Sequence, residues 1–172
     1  MGYNILIIGH GGHGKDEVAK IIGKHFGLSY CSSSQFALVE FMWDELKDEY
    51  ETMEECYEDR NSSQKMRDRW YKRICEYNKD DRAKLSKELF RKNDVYVGMR
   101  DLKEFEACMK IGLFDLVIWV DAYKRTNKKE KATSFKLKPE HADVIIDNNG
   151  TVQELANKVR RLFRLLTNVS PN

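Results

Sequence analysis

The chain has 172 residues, 41% of them hydrophobic, the size and apolar content of one domain with an ordinary core. Thirty Lys and Arg against 28 Asp and Glu leave a formal net charge of +2, so no global field argues for nucleic acid or a membrane surface, and any basic site must be local. Cys31, Cys56, Cys75 and Cys108 form no C-x-x-C pair, and neither a secretory leader nor a bilayer-length apolar run is read, so the expectation is a soluble cytoplasmic protein with free thiols.

Short apolar runs alternate with longer polar, helix-prone stretches, which predicts an α/β fold whose parallel sheet is covered by helices on both faces. The first buried strand, Ile5 to Ile8, runs straight into Gly9-His10-Gly11-Gly12-His13-Gly14-Lys15-Asp16 and then into a helix over Lys15 to His25. G-x-x-x-x-G-K at a strand-to-helix junction is a phosphate-binding loop. Glycines let successive backbone N–H groups turn inward, the helix dipole favours an anion, and the lysine reaches the β- and γ-phosphates. Gly9, His10, Gly11, Gly12, His13, Gly14, Lys15, Asp16 and Glu17 are therefore the expected donor-nucleotide site, with ATP as phosphoryl donor. His10 and His13 read as exposed loop fillers rather than catalysts, since phosphoryl transfer relies on positioning and charge more than on a general base. Asp16 stands where a Ser or Thr hydroxyl usually ligates Mg²⁺. Its carboxylate could hold the metal directly or through water, or repel the phosphates; it is the candidate metal ligand.

A short strand is predicted near Leu28 to Cys31, and Ser32, Ser33 and Ser34 after it either approach an acceptor or start a helix over Gln35 to Lys47. Further helices are predicted over Ser63 to Tyr77 and Arg82 to Lys92. Pro139 and Pro171 are the only prolines, so residues 35–92 read as a helical insertion that caps a substrate; the alternative is a plain solvated helical hairpin. Within it Arg67, Arg69 and Trp70 mix phosphate-gripping cations with an aromatic that can lie beside a base, although Trp70 and Ile74 could equally turn to a core. After a strand at Val95 to Val97, Arg100 falls at the carboxyl edge of the sheet, where open α/β folds bind ligand. Asp101 reads as the N-cap of a helix over Leu102 to Ile111. A strand at Leu116 to Val120 leads into Asp121 and the cations Lys124, Arg125, Lys128 and Lys129; Lys128, Lys129 and Lys131 read as a solvated face. A last strand, Val144 to Ile146, is followed by a tight Asn-Gly turn and a helix over Val152 to Leu166, with Thr151 as its cap.

The Gly14-Lys15-Asp16 ending of the loop, Val97-Gly98-Met99-Arg100 with Glu104, and Leu116 to Asp121 together resemble the deoxynucleoside monophosphate kinases of tailed bacteriophages, within the wider nucleoside monophosphate kinase group. The resemblance covers about half the chain. It implies a P-loop three-layer fold with five parallel strands ordered 2-3-1-4-5, a lid over residues 122–140, and transfer of the ATP γ-phosphoryl to a nucleoside monophosphate with Mg²⁺, supplying nucleotides for phage DNA synthesis. On that reading Lys15, Arg100 and Arg125 are catalytic, Arg67, Arg69, Trp70 and Arg100 bind the acceptor, and Asn148 to Thr151 pass near adenine. The family commonly carries an acid two residues before the arginine; here Gly98 takes that place, so its role has moved to Asp101 or been lost. Small nucleotides are the implied partners, no membrane or nucleic acid is implied, and the central helices are also open to forming a homodimer face. Two other readings stay open: a kinase acting on the hydroxyl of a modified base in DNA or of another small acceptor, and a non-catalytic nucleotide-binding module.

Overall fold

The computed structural model describes residues 3–127 and 135–168 of the chain. Five strands, β1 (Ile5–Ile8), β2 (Tyr30–Ser32), β3 (Val95–Val97), β4 (Leu116–Asp121) and β5 (Val144–Asp147), form one sheet in the order β2-β3-β1-β4-β5, every neighbouring pair parallel. This is the predicted order. Every residue of β1 and β3 is buried, and β4 is buried up to its last residue, which is why these runs read as continuous apolar segments rather than alternating ones.

Alternate side chains leave the sheet on opposite faces. Ile5, Ile7, Val97 and Ile118 pack with Val18 and Ile22 of α1 (Lys15–Phe26) and with Leu155 and Val159 of α9 (Val152–Asn168). On the other face Leu6, Ile8, Tyr96, Val117 and Trp119 meet Leu85 and Leu89 of α6 (Lys84–Phe90) and Phe105 of α7 (Leu102–Lys110). Register places Ile7 opposite both Val97 and Ile118. The carboxyl ends of β1, β3 and β4 thereby lie at one edge of the sheet, with β1 ending one residue past β3 and β4 two residues past β1, and the chain leaves all three there.

Between β2 and β3 lies the expected helical insertion. It starts with α2 (Ser33–Ala37), where the Ser32 hydroxyl accepts from Gln35 N and the Gln35 amide oxygen accepts from Ser32 N, a closed capping box. That bond gives the serines a local structural reason. The helix expected over 35–47 is present as one uninterrupted run, α2, a π-helical turn at Leu38–Met42 and α3 (Trp43–Leu46), in which Leu38, Met42 and Leu46 stay buried together. Next come α4 (Met53–Asp59) and α5 (Gln64–Tyr77). The sequence predicts no helix at α4: Met53-Glu-Glu-Cys-Tyr-Glu-Asp59 carries four acids and no clear apolar stripe, and it is held by one buried side chain, Cys56, and the Thr52 cap on Glu55 N. Trp70 of α5 closes this third cluster with Ala37, Leu38, Met42, Leu46 and Cys56. At the C-terminal side, α8 (Tyr123–Thr126) follows β4, and Thr151 caps α9 by accepting from Glu154 N, as predicted. Lys128, Lys129 and Lys131, and with them part of the expected lid, lie outside the described residues.

Candidate functional site

The turn after β1 is made possible by glycines at positions no other residue fits. Gly9 has φ +144°, and a Cβ there would lie 2.6 Å from the Val120 carbonyl oxygen of the neighbouring strand. Gly14, at φ +91°, starts α1; a Cβ on it would lie 2.3 Å from Asn148 Nδ2. Between them the chain folds on itself, His13 N donating to the His10 carbonyl at 3.3 Å.

Contrary to the expectation of exposed fillers, both histidines are structural parts of the loop. His13 is fully buried. Its Nδ1 accepts the Ala122 backbone N–H at 3.1 Å, so the proton of the neutral ring sits on Nε2. Asn148 Nδ2 donates to the His13 carbonyl at 2.9 Å, while Asn148 N donates to the Asp121 carbonyl at 2.6 Å. His10 is half-buried, its ring edge-on to His13, Trp119 and Phe135 at centroid distances of 5.4, 5.5 and 5.0 Å. The loop is thus anchored from beneath by the ends of β4 and β5. Asn148, expected in a tight turn near the adenine, is one of its main anchors.

Arg125 of α8 comes to the same place. Its Nε donates to the Asn148 carbonyl at 3.2 Å, its backbone N donates to Asn149 Oδ1 at 3.2 Å, and its guanidinium Nη2 lies 4.0 Å from the position of a Cβ on Gly14. A cation therefore stands at the end of the loop where α1 begins. Lys15 folds back across the loop, Nζ donating to the His10 carbonyl at 2.9 Å. Gly98, the first residue after β3, has φ +85° and a Cβ there would be 3.8 Å from Lys15 Cε. The missing acid has a backbone cause: an aspartate at that φ would be strained, and the lysine stem runs past the spot.

Beside the loop, at the carboxyl end of β3, a small cleft of about 30 Å³ opens between α5 and α7. Arg100 and Asp101 line it from the chain after β3, Tyr96 from β3, Glu104 from α7, and Tyr71, Cys75 and Asn78 from α5. Arg100 is exposed. The Asp101 carboxylate caps α7, Oδ1 accepting from Lys103 N at 3.4 Å, as predicted. Glu104 is only 2% exposed; Ser86 Oγ donates to its Oε1 at 2.8 Å and Tyr96 stands 3.4 Å from the same oxygen. Burial pushes this carboxyl up to about 7, with nearby Asp101 adding to the shift and the Ser86 hydroxyl opposing it.

The structure does not bring Arg67, Arg69 and Trp70 to this cleft. Arg67 donates to the Asn61 carbonyl and to Gln64 Oε1, Arg69 forms a two-pronged pair with Glu49, and Trp70 is buried in the insertion's own cluster. The cleft takes another stripe of α5, Tyr71, Ile74, Cys75 and Asn78, spaced i, i+3, i+4, i+7.

Among the described residues no group of three or more His, Cys, Asp or Glu could hold a metal ion. Asp16, with Glu17, sits in the first turn of α1 beside Lys15, exposed, and offers one hard oxygen ligand next to the loop. That donor set fits a magnesium ion carried in largely by nucleotide phosphates, since Mg²⁺ commonly takes one or two carboxylates plus phosphate oxygens. Among the described residues no helix is long and apolar enough to cross a membrane.

No family model matches the chain, and no curated protein does. Solved structures do. Shikimate kinase from Aquifex aeolicus superposes with a TM-score of 0.53 at 10% identity, covering 93% of this chain and 95% of that one. A sugar kinase from Janibacter sp. covers 100% of both chains at 12% identity with a TM-score of 0.48, and a gluconokinase from Sinorhizobium meliloti covers 98% of both at 15% with 0.46. The first likeness shows a fold shared with that shikimate kinase, and at 10% identity it shows the fold alone.

Proposed function

We propose that the protein is an ATP-dependent nucleoside or deoxynucleoside monophosphate kinase. The observation that carries this reading is the junction of the two halves of the site. The Lys15 stem runs beside Gly98, two residues before Arg100, so the lysine of the phosphate loop and the arginine of the cleft serve one gap. Two polyanions brought end to end need cations from both sides, and a lone nucleotide-binding module needs no second pocket with its own arginine.

On this reading the loop N–H groups and Lys15 hold the donor triphosphate, Nζ exchanging the His10 carbonyl for phosphate oxygens. Arg125 steadies the donor end by α1, and Arg100 the acceptor phosphate. An acceptor phosphate oxygen attacks the γ-phosphorus in line, and the bond from that phosphorus to the β–γ bridging oxygen breaks, giving ADP and a nucleoside diphosphate with no covalent enzyme intermediate. Asp16 would hold magnesium with the nucleotide, and when bound the ion supplies neutralisation of the β- and γ-phosphate charge. The bacteriophage setting belongs to this proposal and rests on the sequence resemblance alone.

The test is ADP formation from ATP and Mg²⁺ with each ribo- and deoxynucleoside monophosphate in turn, Lys15→Ala as the blank. Turnover with one or a few monophosphates, reduced at least about 100-fold in the variant, is the expected outcome. Turnover that a folded Lys15→Ala protein retains overturns the donor site, and silence across the panel overturns the acceptor class.

A further inference from the structure

Two residues lining the cleft are almost wholly buried, yet each has one polar side-chain atom without a hydrogen bond. Asn78 is 3% exposed. Its Oδ1 accepts the Leu85 backbone N–H at 2.9 Å, which settles the orientation of the amide, since only the oxygen can accept. The Nδ2 donors then make no hydrogen bond. Glu104 has the complementary arrangement: Ser86 and Tyr96 both address Oε1, and Oε2 takes none. Among the described residues the one enclosed side-chain nitrogen or oxygen without a partner is Trp70 Nε1, so the free atoms of Asn78 and Glu104 are not sealed inside protein; they open on the cleft that both residues line.

A donor and an acceptor that reach solvent only through one concave surface are met there by cleft water, which a ligand of matching polarity replaces. We infer that Asn78 and Glu104 read the acceptor: Nδ2 donates to, and Oε2 of the ionised Glu104 carboxylate accepts from, groups on the edge of a planar ring such as a nucleobase presents. This rests on the kinase reading above and assigns base recognition to residues other than Arg67, Arg69 and Trp70. The carboxyl and the amide are fixed from behind by Ser86 and Leu85, so both are preorganised. On this assignment Arg100, in the wall of the same cleft, serves the acceptor's phosphate, and Tyr71 offers ring surface beside the base. A polyol or other hydroxyl-bearing acceptor needs no such ordered pair, because each hydroxyl both donates and accepts.

The two positions allow nearly isosteric reversals. Asn78→Asp keeps the acceptor for Leu85 N and loses the free donor; Glu104→Gln keeps an acceptor for Ser86 and turns the free acceptor into a donor. Binding of dAMP, dCMP, dGMP and dTMP to wild type and to each variant is measured by calorimetry, with turnover of the same four alongside and ATP binding as the check on folding. The expected result is that each variant loses roughly 10- to 100-fold in affinity and kcat/KM for the preferred monophosphate and changes the rank of the four, while ATP binding is unchanged. An unchanged rank with wild-type turnover intact overturns the assignment and leaves the kinase standing. No binding or turnover of any monophosphate by wild type overturns both.

Discussion

Glu104 carries a consequence of its own at the scale of one residue. Its carboxyl stays protonated to about 7 in the folded chain against an ordinary 4.5, because burial penalises the charge. Below the ordinary value both folded and unfolded chains are protonated there and the residue costs nothing. As pH rises from about 4.5 towards 7 the unfolded chain ionises first, so the folded state loses stability relative to it, by about 3 kcal/mol once both are ionised. Glu104→Gln cannot titrate. Urea unfolding of both proteins at intervals from pH 4.5 to 8 should show the variant gaining on wild type across that window by about 3 kcal/mol and levelling off above it. A difference that stays flat with pH means the carboxylate is solvated in the folded protein. Asp101, Arg100 and Tyr96 line the same cleft, so the midpoint reports them as well.

At the scale of elements, the helical insertion separates what the sequence makes legible from what it hides. The loop between β1 and α1 was readable because everything that defines it is local: four buried strand residues, glycines at fixed spacing, a lysine, an apolar helical stripe. The sheet order was readable only through resemblance. The clamp on His13 was not readable, since its Ala122 partner lies 109 residues away and nothing near His13 announces burial. Helix α5 misled for another reason: it carries two overlapping stripes, Met66-Trp70-Ile74 and Tyr71-Cys75-Asn78, and only packing decides which faces the cleft. The charged and aromatic character of Arg67, Arg69 and Trp70 therefore pointed to a ligand where the structure has a brace. Trp70→Ala should cost about 3–5 kcal/mol in urea unfolding, the usual range for emptying a buried aromatic site. Arg69→Ala, removing one half of an exposed pair with Glu49, should cost far less and leave KM for the acceptor unchanged. A large rise in that KM with normal stability would return Arg69 to the acceptor site.

At the scale of the molecule, the three hydrophobic clusters are unequal. Two lie on the faces of one sheet whose central strands are buried at nearly every residue; the third, between α2 and α5, is small and rests on six buried side chains. Ile74 packs against both that cluster and the sheet's second face, so α5 is the mechanical link between insertion and sheet. Local opening follows the amount of apolar contact, and amides of α3 and α4 should exchange with solvent well before those of β1 and β4. Since one side of α5 lines the cleft and the next holds Trp70 in the small cluster, a ligand that orders Tyr71 and Asn78 must also order Trp70. Hydrogen exchange with a non-hydrolysable ATP analogue alone, and then with the accepted monophosphate added, resolves this by element. The donor alone should slow exchange in α1, and the acceptor should extend protection through α5 into α3 and α4. Protection that stops at α5 would mean the insertion is only a wall of the cleft; protection that reaches α4 would make it a cover whose stability the acceptor supplies.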